Sequence, residues 1–376
     1  MNPKIIFVAG NVMTGKNILR KLLDGHPNLV CNHVHDRIAM SLLSEEAKQY
    51  ITRAPSKNLG PFQDSLPTLK ITYPYGRSGA IDFPDLLNMF FRYGDYRMLQ
   101  KCARGKRVVV ASKEGAWEGG DFNFDIRMFE KQIEVEMSNW EGIGGSKTIE
   151  ELIQMILRAY IASWLDIDRG IEEIGADTSS LLGFVDTLSR GIAPIKRAIQ
   201  ELSDPKILIM DRDPASLLFA NAIRIANQSG WCGDAYDEKF RAHLYSQREF
   251  AKRHQKFRRD ARELECRHQN VKIVDFDKLI LDTSAEMNEL ARFLDIPFDP
   301  ILTRPSIAGK VLTESKTPLV GKINDDPYSV LSRSELSLLV SLSAPTATRF
   351  QALADAMLKI KIKLYKLMWR VGLASN

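Results

Sequence analysis

Apolar residues recur along this chain in short blocks that switch between a strand-like and a helix-like period. Lys4–Ala9 (KIIFVA), Lys106–Ala111 (KRVVVA), Leu182–Val185, Lys206–Met210 (KILIM) and Val271–Phe276 (VKIVDF) are compact β-rich runs, the pattern of strands covered on both faces. Helical spacing marks Ile18–Leu23, Phe83–Cys102, a segment from Thr148 to about residue 167, one running to Leu202, one from about Ala215, and Ser284–Leu294. Thr148 with Glu151 three residues on reads as a capping box at a helix start. Asn28–Cys31 is a short extended candidate just past His26-Pro27, and residues 51–84 and 118–147 read as irregular. Strands interleaved with helices predict an α/β fold, a central parallel sheet flanked by helices and carrying long helical insertions. The division expected is an α/β domain over 1–340, with 36–180 as insertions, and a basic helical tail over 341–376.

The first strand runs into Gly10-Asn11-Val12-Met13-Thr14-Gly15-Lys16-Asn17 and then a helix. Strand, glycine-bounded loop and helix in that order form a phosphate cradle. Glycine lets the backbone turn tightly, N–H groups converge, and the helix N-terminus adds partial positive charge. Lys16, directly after the second glycine, is placed to neutralise phosphate oxygens. The hydroxyl that would hold Mg²⁺ in a P-loop is absent, because Asn17 stands there.

Three segments together resemble the sulfotransferase family, in the order seen in its bacterial and tyrosylprotein branches. Lys4 to His35, with Leu23-Asp24-Gly25-His26-Pro27, is similar to the 5′-phosphosulfate loop and the run that follows it. Pro205 to Pro214 resembles the strand and turn carrying an Arg-Asp-Pro whose arginine, here Arg212, grips the donor's 3′-phosphate. Val271 to Pro300, with Arg292-Phe293-Leu294-Asp295-Ile296-Pro297, looks like the family's last strand and following helix end. The resemblance implies a P-loop-like sulfotransferase fold, 3′-phosphoadenosine 5′-phosphosulfate as co-substrate and no metal. It implies a donor site of Gly10, Met13, Thr14, Gly15, Lys16, Asn17, Arg212, Ala220 and Lys310.

Several side chains depart from that pattern. Met13 replaces a basic residue, Lys16 a threonine, Asn17 a hydroxyl residue, Ala220 the serine eight residues past the arginine, and Thr187 a strand lysine. Backbone N–H groups need no particular side chain, so the cradle survives these changes. The missing Ala220 hydroxyl corresponds to about 0.5–1.5 kcal/mol.

Sulfuryl transfer needs a base for the acceptor's proton and positive charge on the leaving oxygens. Val34 falls where the tyrosylprotein branch has its glutamate, and His33 and His35 flank it. In an extended segment the two rings point to one side, and a neutral imidazole with Asp36 beside it suits the task. Lys16, with Lys113 as a second candidate, would supply the charge. The expected reaction is sulfuryl transfer to a hydroxyl of a carbohydrate or small cell-envelope metabolite. The alternatives are an ATP-dependent phosphotransferase, with Asp186 or Asp211 as Mg²⁺ carboxylate, and an inactive homologue that binds nucleotide or a partner.

Composition adds bounds. The 376 residues carry a net charge of +5, 44% hydrophobic and 26% charged residues, ordinary values for a globular protein. Four cysteines without close spacing argue against structural zinc. A strand beginning at Lys4 leaves no room for a signal peptide, and no apolar run reaches about 18 residues, so a cytoplasmic location is expected. Residues 239–272 are rich in Lys and Arg, read as a largely solvated face with an anionic acceptor or lipid surface as the alternative. The basic, aromatic-containing run 357–373 is read as a docked helix, or as a peripheral contact with the inner membrane. No aromatic-basic interleaving points to nucleic acid.

Overall fold

The computed structural model describes residues 4–31, 69–72, 78–81, 108–109, 123–124, 131–132, 135–136, 149–162, 164–165, 182–188, 191–228, 238–307, 310–311, 327, 331–333, 335–337 and 339. Its centre is a five-stranded, all-parallel sheet made of β1 (Lys4–Ala9), β2 (Leu29–Cys31), β8 (Gly183–Leu188), β9 (Lys206–Asp211) and β10 (Val271–Asp275), in the spatial order β10-β9-β1-β8-β2. β1 lies in the middle, paired with β8 from Lys4↔Gly183 to Ala9↔Leu188 and with β9 from Ile6↔Lys206 to Ala9↔Ile209. Residues Ile5 to Ala9 are buried without alternation, as a strand covered on both faces requires.

Helices α1 (Lys16–Leu23), α2 (Ile149–Ala162), α3 (Ala193–Glu201), α4 (Pro214–Gln228), α5 (Glu238–Tyr245), α6 (Arg248–Arg267), α7 (Phe276–Leu281) and α8 (Thr283–Leu294) supply the cover. One core joins the sheet to α1, α7 and α8 through Val8, Leu19, Leu22, Met210, Phe276 and Leu290. A second joins α4, α5 and the start of α6, where Phe219 and Phe240 meet edge to face at 5.4 Å.

The chain passes from β1 outward to β2 on one side and from β9 outward to β10 on the other. The neighbours β1 and β9 therefore flank the point where the strand order reverses, where open α/β sheets bind ligands. The cradle loop follows β1, and Arg212 follows β9.

Four expectations need correction. Val108–Val109 (β5) is a strand but pairs antiparallel with Asn123–Phe124 (β6), outside the parallel sheet; the two are close in sequence, which favours antiparallel pairing. The helix from Ile149 ends at Ala162, because Trp164–Leu165 (β7) joins the same small sheet. Residues 51–84 are not irregular throughout: they hold the antiparallel pair Leu69–Thr72 (β3) and Ser78–Ile81 (β4). Phe276 belongs to α7, because the Asp275 side chain caps that helix by accepting from the N–H groups of Asp277 and Lys278. Thr148, 83–102 and the tail 341–376 lie outside the described residues. Among the described residues no helix is long and apolar enough to cross a membrane.

Candidate functional site

The loop leaves the sheet at Gly10, whose φ of 149° and tight surroundings admit no side chain: a Cβ there would sit 2.6 Å from Thr14 Oγ1 and 3.2 Å from the Met210 carbonyl. Met13 takes a left-handed φ of 65° and Gly15 a φ of 93°, folding the loop back onto itself. Buried Thr14 donates its hydroxyl proton to the Asn11 carbonyl at 2.8 Å. The Gly15 carbonyl accepts from Ile18 and Leu19, so the N–H groups of residues 16 and 17 precede the first intrahelical bond and belong to the cradle. Lys16 is half-buried and Asn17 exposed.

Arg212 stands across the switch point, 7% exposed, with its guanidinium 4.5 Å from the centre of the Phe276 ring. Nη1 donates to the Met13 carbonyl at 3.3 Å. The Asp and Pro that follow open α4: Pro214 takes the first helical position, and Asp213 accepts from the Ser216 N–H and hydroxyl. Ala220 is fully buried in the same helix.

Residues that sequence reasoning did not single out hold this arrangement. The Asn11 amide donates to Nδ1 of His254 at 3.0 Å, which puts the proton of the neutral ring on Nε2, 4.0 Å from an Asp211 oxygen. Burial first, and the Arg258 guanidinium second, push the His254 pKa down to about 4, against a smaller opposing pull from the Arg212 backbone. Asp211 in turn accepts from Arg258 at 2.7 and 3.0 Å, so this candidate Mg²⁺ carboxylate already has a cationic partner. Asp186 accepts from the Thr187 N–H at 2.8 Å, inside the sheet. Burial raises the Asp277 pKa, and Asp275, Asp213 and Asp211 add to the rise while Arg212 opposes it. Among the described residues no group of three His, Cys, Asp or Glu is arranged to hold a metal ion.

The segments carrying the family resemblance meet in space. Fully buried His26 donates from Nε2 to the Pro297 carbonyl (2.9 Å) and accepts at Nδ1 from the Asn28 N–H (3.1 Å). Ser306 donates to Asp24 at 2.7–2.8 Å. Asp24 and His26 therefore tie the turn after α1 to the chain beyond α8, a structural task for the Leu-Asp-Gly-His-Pro run. His33, His35 and Lys113 lie outside the described residues; Lys310 is in a short strand (β12, Lys310–Val311) paired with Ser306–Ile307 (β11).

No family model matches this chain, and no curated protein matches it. Solved structures similar to it include the sulfotransferase domain from the Synechococcus PCC 7002 olefin synthase (14% identity, 95% of each chain, TM-score 0.40). The sulfotransferase domain from the curacin biosynthetic pathway is 12% identical over 95% of this chain and 98% of that one, at a TM-score of 0.38. A sulfotransferase from Mycobacterium tuberculosis H37Rv is 12% identical over 80% and 70%, at 0.33. Superposition that loose carries no chemistry from those proteins to this chain.

Proposed function

We propose that this chain is a sulfotransferase that moves a sulfuryl group from 3′-phosphoadenosine 5′-phosphosulfate to a hydroxyl, on a carbohydrate or a small cell-envelope metabolite. The observation that supports the reading best is the junction of the Gly10–Lys16 cradle with Arg212 at the reversal of strand order. Sequence segments that separately resemble the family's donor site come together there. The donor's 5′-phosphosulfate would lie over the cradle, with Lys16 neutralising the leaving oxygens, and Arg212 would face the 3′-phosphate. The acceptor oxygen forms a bond to sulfur, the bond from sulfur to the bridging phosphate oxygen breaks with its electron pair staying on phosphate, and the acceptor proton passes to a base. His33 and His35 are the residues we assign to that base. Support also comes from the loop's backbone: positive φ at Met13 and Gly15 folds it back on itself, and the N–H groups of residues 16 and 17 precede the first intrahelical bond at the N-terminus of α1, where an anion is favoured.

A thermal-shift comparison of adenosine 3′,5′-bisphosphate, ATP alone and ATP with Mg²⁺ tests this. Stabilisation selective for the bisphosphate, about 2.7 kcal/mol at a hundred times Kd, is expected. Mg²⁺-dependent stabilisation by ATP would make the protein a phosphotransferase, and no shift with any ligand would leave a homologue without nucleotide.

A further inference from the structure

Next to the loop lies a cavity of about 780 Å³ that is lined by Asn11 and Val12 but by neither Lys16 nor Arg212. Its volume is that of a site for a medium-sized organic molecule. Of its lining residues Asn221, Gln247 and Phe257 are buried, whereas Arg253 and Lys256 are exposed. On α6, Arg253, Lys256, Phe257 and Asp260 recur at spacings of three and four, so one face of the helix forms a wall. Arg224 comes from α4.

The charges of this cavity do not cancel. Its two acids are engaged by cations outside the lining: Glu249 by Lys252 at 3.3 Å and Asp260 by Arg259 at 3.3 Å. Of its cations, Arg253 donates to a neutral oxygen, the Glu249 carbonyl. Apolar surface from Val12, Ile192, Ile225, Phe250 and Phe257 completes the lining.

We propose that this cavity holds the acceptor, and that the acceptor is an anionic amphiphile: a hydroxylated molecule with a carboxylate, phosphate or sulfate group beside an apolar portion. The assignment rests on the sulfotransferase reading. A neutral ligand would cover Arg253 and Lys256 without replacing their water, whereas an anion forms charge-assisted hydrogen bonds with them. Contact with Asn11 and Val12 brings the bound molecule to the edge of the cradle, where its hydroxyl can reach the sulfur. The basic stretch of residues 239–272 thereby divides: Arg258 holds Asp211, Arg267 pairs with Glu263, and Arg253 and Lys256 face the ligand.

The test uses the full chain, octyl phosphate as the anionic probe and octyl glucoside as the uncharged one, both below micellar concentration, titrated calorimetrically with adenosine 3′,5′-bisphosphate present. Octyl phosphate is expected to bind at least about tenfold more tightly than octyl glucoside, a difference that shrinks with added salt. Arg253→Ala with Lys256→Ala should abolish the preference and leave both the unfolding midpoint and the affinity for the bisphosphate unchanged. Equal binding of the two probes would overturn the proposal. So would loss of bisphosphate affinity in the double variant, which would make the cavity the nucleotide's own. Octyl phosphate binding without any bisphosphate binding would remove the sulfotransferase reading and the acceptor role with it, leaving only an anion-binding cavity.

Discussion

Nη1 of Arg212 donates to the carbonyl of Met13, a residue that the loop holds at a left-handed φ of 65°. That conformation costs a non-glycine residue about 1–2 kcal/mol, and the bond from a buried guanidinium is one of the contacts offsetting it. The arginine is therefore a brace for the cradle as well as the proposed partner of the donor's 3′-phosphate. The two tasks separate by ligand. Arg212→Ala should weaken adenosine 3′,5′-bisphosphate about ten- to hundredfold, the size of a charge-assisted hydrogen bond of roughly 1.5–3 kcal/mol. AMP, which lacks the 3′-phosphate, should lose much less. Equal losses for both, measured by calorimetry, would leave Arg212 as a brace only.

Gly15 is closed to side chains twice over. Its φ is 93°, and a Cβ there would lie 2.3 and 2.5 Å from two carbons of the Phe276 ring. Gly15→Ala should lower the unfolding free energy by about 2–5 kcal/mol, the sum of backbone strain and overpacking. Adding Phe276→Leu should recover the steric part and leave the backbone part, so the two substitutions will be non-additive in chemical denaturation. Strict additivity would show that the ring does not press on the loop.

The strands at Lys4, Lys206 and Val271 and the loop after Ala9 were legible in the sequence, because unbroken apolar runs and bounding glycines are local signals. The partners of the loop were not. His254 does carry a visible mark: it falls in the buried stripe of α6 with Ala251, Phe257, Ala261 and Leu264, where a histidine must find a polar partner. Nothing in the chain announces that the partner is Asn11, 243 positions earlier. The apolar character of Phe276 fits the end of a strand as well as the start of a helix; the Asp275 cap decides for helix. The three segments resembling a family could be ordered from sequence, but their contact through His26 and Pro297 depends on packing that no local pattern encodes.

His254 makes stability depend on pH in a definite direction. Its pKa is held at about 4 in the folded protein, against 6.5 for an unperturbed imidazole. Between those values the unfolded chain binds a proton that the folded chain refuses. The contribution of this residue is therefore complete above about pH 6.5, falls as pH drops toward 4, and levels off below. A difference of that size corresponds to about 3 kcal/mol in all. His254→Gln offers the Asn11 amide an uncharged oxygen in place of Nδ1 and removes the titration. Urea unfolding of the two proteins between pH 7.5 and 4 should show the native one losing stability more steeply, by up to about 1.4 kcal/mol per pH unit. Parallel curves would mean that His254 protonates in the folded state without resistance and that its bond to Asn11 does not fix its charge.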